Sequence, residues 1–220
     1  MERHFEIELE KLKETLLRMG SVVERAVSLA FRSLFELDAP LARLVIEDEK
    51  EVNRMQIQID DAVVRALALH QLMAADLRFA LAVSRINAEL ERIGDQAVNI
   101  AEATLRLSQY PKTEPPNVDL PRMSELAASM VRDSLNSFVE SDETLAKSVL
   151  ARDDELDVLR NQAFRALLSY MMSDSSKVFP AFDLILVAKD LERIGDLATN
   201  IAEDVIYAVA GRDVRHHAVR

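Results

Sequence analysis

The sequence predicts an all-α chain, two tandem and pseudo-symmetric three-helix bundles, and three observations carry that prediction. A block LERIGDQAVNIAE at Leu90–Glu102 recurs as LERIGDLATNIAE at Leu191–Glu203, with only Gln96/Leu197 and Val98/Thr199 differing. Apolar residues recur at helical spacing along most of the chain, and the composition is dominated by Ala, Leu, Glu and Arg with 5% aromatics, which favours helix over sheet. Four of the six prolines (Pro111, Pro115, Pro116, Pro121) fall in one short stretch midway, the signature of a linker.

The elements follow in order. Residues 5–36, with Leu9, Leu12, Leu16, Met19, Val23, Val27 and Leu34 on one stripe, form a first long helix. Leu37-Asp38-Ala39-Pro40 ends it and starts the next, Asp38 serving as N-cap and Pro40 in the first turn. The second helix runs to about Leu69, His70–Ala75 breaks it, and a third runs to about Leu107. After the linker, a helix spans 121–140 and Ser141-Asp142 caps the next, which continues unbroken to about Tyr170. Met172–Lys177 breaks the chain, and the last helix runs from Val178 to Ala210, stopped by Gly211. Asp38–Arg43 matches Asp142–Lys147 at a spacing of 104 and the LERIGD blocks match at 101, so a small deletion lies between them. The resulting units are 1–109 and 121–212, with a linker at 110–120 and a tail at 213–220.

Composition narrows the function. The net charge of −11 and the pI near 4.9 make nucleic acid a poor partner, since little is available to neutralise phosphates. Free phosphate and acidic metabolites are disfavoured for the same reason, and metal cations are the natural guests. The chain has no Cys, which removes disulfides and thiolate metal sites. Met1–Glu10 is charged throughout, so no signal peptide is expected, and no apolar run approaches the ~18 residues of a membrane span. A soluble, cytoplasmic protein is expected, with no direct membrane insertion.

Read as a helix, each repeated block sorts its oxygen ligands onto one face. Glu91, Asp95, Asn99 and Glu102 lie within roughly 80° of one another, as do Glu192, Asp196, Asn200 and Glu203. Ile93, Ala97, Ile100 and Ala101 flank the stripe as core. Gly94 and Gly195 sit mid-helix, where Gly costs about 1 kcal/mol relative to Ala and signals a close approach to the backbone. The second helix of each unit brings its own pair, Glu49/Asn53 and Asp153/Asp157. In an antiparallel hairpin at about 1.5 Å per residue, these pairs stand level with Glu91/Asp95 and Glu192/Asp196. Facing helices that deliver carboxylates to a shared point build metal sites in bundles. Hard divalent or ferric ions suit such donors, with iron, zinc, manganese and magnesium all open. Asn53 gives the first set one negative charge fewer, which makes Asp153/Asp157/Glu192/Asp196 the stronger site.

The alternative is a salt-bridged seam, with Glu89/Arg92 and Asp190/Arg193 as i,i+3 pairs. Against it stands the stacking of like charges, Glu91 above Asp95, which is repulsive unless something positive is shared. No Glu precedes His4, His70, His216 or His217 by three residues, as a ferritin-like oxidase would need. No Gly-rich phosphate loop, nucleophile elbow or Ser/His/Asp set is present. No catalytic residue is assigned and enzymatic activity is not expected.

These features resemble the PhoU family, accessory regulators of bacterial phosphate-specific transport. The matching residues are the two LERIGD blocks, His70–Arg78 (HQLMAADLR), Leu167–Met172 (LLSYMM) and Phe35–Leu41 (FELDAPL), and with the duplicated plan they cover essentially the whole chain. The resemblance implies paired three-helix bundles, often as homodimers. It implies metal clusters at Glu49, Glu91 and Asp95 and at Asp153, Asp157, Glu192 and Asp196. It also implies a negative regulator of the phosphate-starvation response that links the phosphate ABC transporter to a membrane sensor histidine kinase, peripheral to the inner membrane through protein contacts. Two positions depart from the family pattern: Asn53 stands where Asp is usual, and Leu72 where Pro is usual. A metal-storing or metal-dependent enzyme and a purely structural scaffold are the competing readings.

Overall fold

The computed structural model describes residues 2–69, 73–111 and 118–215, and in this range every regular element is helical. The elements are α1 (Glu2–Glu36), α2 (Ala39–Leu69), α3 (Ala74–Leu107), α4 (Leu120–Glu140), α5 (Glu143–Leu150), α6 (Asp153–Ser173), a 3-10 turn at Ser175–Lys177, and α7 (Val178–Ala210). Leu72, His216, His217 and most of the proline-rich linker lie outside the described residues.

Local chemistry sets the junctions. Asp38 accepts from the Leu41 amide at 2.9 Å, and Asp142 accepts from Thr144 and Leu145 at 2.8 and 3.0 Å, so both caps form as expected. Leu37 and Ser141, at equivalent places in the two units, both adopt left-handed backbone, φ 51° and 53°. The following amides close the same wide turn, Asp38 to the Ser33 carbonyl and Asp142 to that of Ser137, both at 2.9 Å. Gly211 ends α7 at φ 66°, where a residue without Cβ is free of strain.

One expectation fails. The helix predicted to run unbroken from Ser141-Asp142 to Tyr170 is split at Ala151–Arg152 into α5 and α6. Arg152 turns across the gap, donating to Asp133 Oδ2 at 2.7 Å, Ser129 Oγ at 3.1 Å and the Ser148 carbonyl at 3.2 Å. The new helix then opens on Asp153, Asp154 and Glu155, three acids that favour a helix N-terminus.

The units are the bundles α1/α2/α3 and α4/α5–α6/α7, and their apolar residues merge into one core. The seam between them is α3 against α7. Arg85 faces Asp204, Asn99 faces Asp190 and Arg106 faces Asp183, so the two helices run antiparallel. Asp183 and Asp204 are buried there, and their arginines reach them at 2.7 and 2.9 Å. Residues predicted to flank the acidic stripe, Ile93, Ala97, Ile100 and Ala101, are fully buried. The carboxylates are thereby held on rigid rods at the outer side of each hairpin.

Candidate functional site

In the second unit, α6 carries Asp153 and Asp157, and α7 carries Glu192 and Asp196. Glu192 and Asp157 meet across the hairpin through one guanidinium: Arg160 Nη2 donates to Glu192 Oε1 at 3.1 Å and lies 3.4 Å from Asp157 Oδ1. Asp196 keeps a side open to water. Even so, lost hydration, followed by the negative fields of Glu192, Asp153 and Asp157, pushes its carboxyl up to about 6. Burial, then Asp157 and Asp154, raises Asp153 as well. Carboxyls that feel one another across two helices form one electrostatic cluster.

In the first unit, Glu49 and Asn53 on α2 face Glu91 and Asp95 on α3. Burial raises Glu91, with Asp95 and Glu49 adding to it and Arg92 opposing, and burial raises Asp95. Asn53 Nδ2 lies 3.5 Å from Glu49 Oε1, while its buried Oδ1 has no hydrogen-bond partner. An unsatisfied buried acceptor among carboxylates is the kind of atom a cation would use.

The oxygen donors therefore suit a hard cation in both units, and Asn53 Oδ1 adds an acceptor to the first. As the side chains stand, no group of three or more acids or histidines among the described residues closes on a common point. In the second unit Arg160 already supplies positive charge between the helices. The first predicted stripe does not stay together. Asn99 turns to α7, where it hydrogen-bonds Asp190, and burial pushes that carboxyl up to about 6. The seam reading has its own support: Arg92 binds Glu89 at 3.1 Å.

Arg160 is the residue that sequence reasoning missed. It sits three residues after Asp157 on the same face of α6, and that spacing could have found it. Gly195 was found, and its reason is now visible: a Cβ there would collide with Leu156 Cδ2. A cavity of about 630 Å³ opens between α1 and α4, lined by Phe31, Phe35, Pro121 and Val131 among others, and contains none of the eight predicted site residues.

The model of the PhoU domain matches residues 16–104 and again 120–205, the two bundles found in the structure. The chain belongs to the PhoU family. A PhoU homologue of Pseudomonas putida, named as a phosphate-specific transport system accessory protein, is 38% identical over 99% of this chain and 85% of its own length. The crystal structure of PhoU from Pseudomonas aeruginosa superposes with a TM-score of 0.92 at 37% identity, covering 94% of this chain and all of that one. The phosphate transport system regulatory protein PhoU of Streptococcus pneumoniae superposes at 0.87 with 29% identity, over 96% and 99% of the two chains. These PhoU proteins are named as accessory and regulatory proteins, not as enzymes. No helix among the described residues is long and apolar enough to cross a membrane.

Proposed function

We propose that this chain is a regulatory adaptor of phosphate uptake, restraining the phosphate-starvation response by linking the phosphate ABC transporter to a membrane sensor histidine kinase. The observation that carries this reading is the near full-length likeness, in sequence and fold, to accessory proteins of the phosphate-specific transport system. Long lateral helix faces without a catalytic constellation suit an adaptor better than an enzyme. Association as a homodimer belongs to the same proposal.

The acid pairs are its cation-responsive part. Glu49, Asn53, Glu91 and Asp95 would hold one centre, and Asp153, Asp157, Glu192 and Asp196 the other. A bound divalent or ferric ion would supply charge neutralisation. The chain's own residues do the rest: α2/α3 and α6/α7 hold the carboxylates level, and Arg160 balances the second set. Deleting the gene tests the regulatory reading. The expected result is phosphate-scavenging expression in phosphate-rich medium, together with loss of a complex that co-purifies with transporter or kinase. Normal repression in the deletion strain rules it out. Metal content by element, measured on protein purified without chelator, tests the cation reading separately.

A further inference from the structure

The face of α6 and α7 that carries the second carboxylate set does not end with it. At 100° per residue, Asp153, Asp157, Arg160, Phe164, Leu168 and Met172 lie on one side of α6. Asp196, Glu192, Lys189, Ile185 and Phe182 do so on α7, with Phe179 at its edge near the tip. The Arg160–Glu192 contact fixes the level of the two helices, so the face grades from acids, through Arg160 and Lys189, to an apolar strip at the hairpin tip. The strip is open to solvent: Phe164 is 47% exposed, Leu168 43%, Met172 82%, Phe179 68% and Phe182 50%. A cavity of about 320 Å³ lies at its inner end, lined by Arg160, Phe164, Ile185, Ala188, Lys189 and Glu192.

The fold does not require the whole strip. At the repeat-equivalent positions the first unit keeps apolar Val64 for Leu168 and Leu81 for Phe182, but has polar Asp60 for Phe164, Arg78 for Phe179, Ser84 for Ile185 and Asn87 for Ala188. There Asn87 Nδ2 donates to Asp60 Oδ1 at 3.0 Å and to the Gln56 carbonyl at 3.0 Å, so a polar bond fills the space that Phe164 and Ala188 leave as a hole. Large contiguous apolar patches on a surface mark interaction sites.

The charges around the strip say what covers it. Residues 158–172 contain no Asp or Glu, although the whole chain carries a net −11. On the facing part of α7 the acid is Asp183, buried against Arg106. The rim is mostly basic: Arg165 and Lys189 are exposed, and half-buried Lys177 holds its ammonium 4.6 Å from the centre of the Tyr170 ring. The one acid at the tip, Asp174, is engaged by the Ser176 amide at 2.9 Å and lies beside Lys177. From Phe164 to Met172 the strip is about 12 Å long, two turns or so of helix. We propose that it docks an amphipathic helix of a partner protein, whose apolar ridge seats between α6 and α7 and whose flanking carboxylates meet Arg165, Lys177 and Lys189. Helix-in-groove recognition uses such anchors at helical spacing. A flat anionic bilayer fits less well, because lying along this face it would also press on Asp157, Glu192 and Asp196. A second copy of this acidic chain would set one basic rim against another. The inference goes beyond the adaptor reading and uses neither metal nor phosphate.

The chain has no Trp, so Phe182→Trp in the full-length protein gives a single reporter inside the strip. Two synthetic peptides of about 18 residues, long enough to form helix on binding, share a leucine ridge, one flanked by Glu and one by Lys. The expected result is a blue shift of emission with the Glu-flanked peptide. Its affinity should fall at least about tenfold, or 1.4 kcal/mol, in Phe164→Ser and in Lys189→Glu. Asp60→Ser, at the equivalent place in the first unit, should leave it unchanged. Both strip substitutions are at exposed positions, and an unchanged helical melting curve shows the fold intact. Equal binding of the Lys-flanked peptide, a shift seen only with phosphatidylglycerol vesicles or on raising protein concentration, or no shift at all, overturns the proposal.

Discussion

The two units share a backbone plan and differ in how each handles the same crowding. In the first, Gly94 stands 3.5 Å (as an added Cβ) from Val52, an ordinary contact, whereas at Gly195 the added atom would strike Leu156. The first relieves its acids with the amide of Asn53, and the second with the guanidinium of Arg160. A first-to-second helix ion pair recurs with its charges exchanged, Arg25 to Asp48 at 3.1 Å in one unit and Arg152 to Asp133 at 2.7 Å in the other. Both units keep the core and the stripe acids Glu91/Glu192 and Asp95/Asp196, and differ in the groups that stand beside those acids.

The contrast breaks most sharply at the glycines. Gly195→Ala should lower stability by about 2 kcal/mol through overpacking. Gly94→Ala should be neutral, or stabilising by up to about 1 kcal/mol from helix propensity. Adding Leu156→Val, which copies Val52, should recover most of the loss in urea melts; no recovery would mean that the collision is not the cause. Exchanging the acid-pair residues comes next. Asp157→Asn should weaken cation binding at the second centre about tenfold, and Asn53→Asp should strengthen it at the first, an effect of about 1.4 kcal/mol each. Calorimetric titration with manganese or zinc would read both, and equal affinities before and after would remove the cation reading.

A third test uses pH. The Asp196 carboxyl, pushed up to about 6 in the folded chain, holds its proton more tightly than its unfolded form near 3.8. Between those values the folded state binds more protons, so its stability falls as pH rises and is lowest above 6. Asp196→Asn should flatten that slope in urea midpoints measured between pH 4 and pH 7, and more so than Asp95→Asn. The smallest effect belongs to the swapped ion pairs. Arg25→Ala, at a pair whose arginine is half-exposed, should cost under about 1 kcal/mol. Arg152→Ala should cost more, because Arg152 also ties the α5–α6 break to Ser129 Oγ and the Ser148 carbonyl. A double-mutant cycle with Asp48 and Asp133 would measure each.

Much of this was legible in the chain itself. Asp38 and Asp142 announced their caps, Gly211 its stop, and the LERIGD blocks the duplication, because each signal acts within a turn or two of its own position. The break at Ala151–Arg152 carried no Pro or Gly to mark it, and it depends on partners about twenty residues away. Asn99 was placed with the acids of its stripe as a further oxygen ligand by its spacing, yet it answers to Asp190 on the opposite unit.

By itself, then, the order of residues determined which stretches are helical, which side of each helix is apolar, and which acids share a face, since all three follow from a 3.6-residue period. Tertiary structure alone decided which charge neutralises those acids, why Gly195 is needed more than Gly94, and that Phe164 and Phe182 are left exposed on one face. Those outcomes rest on side chains brought together from distant parts of the chain, and their contact energies have no counterpart in local spacing.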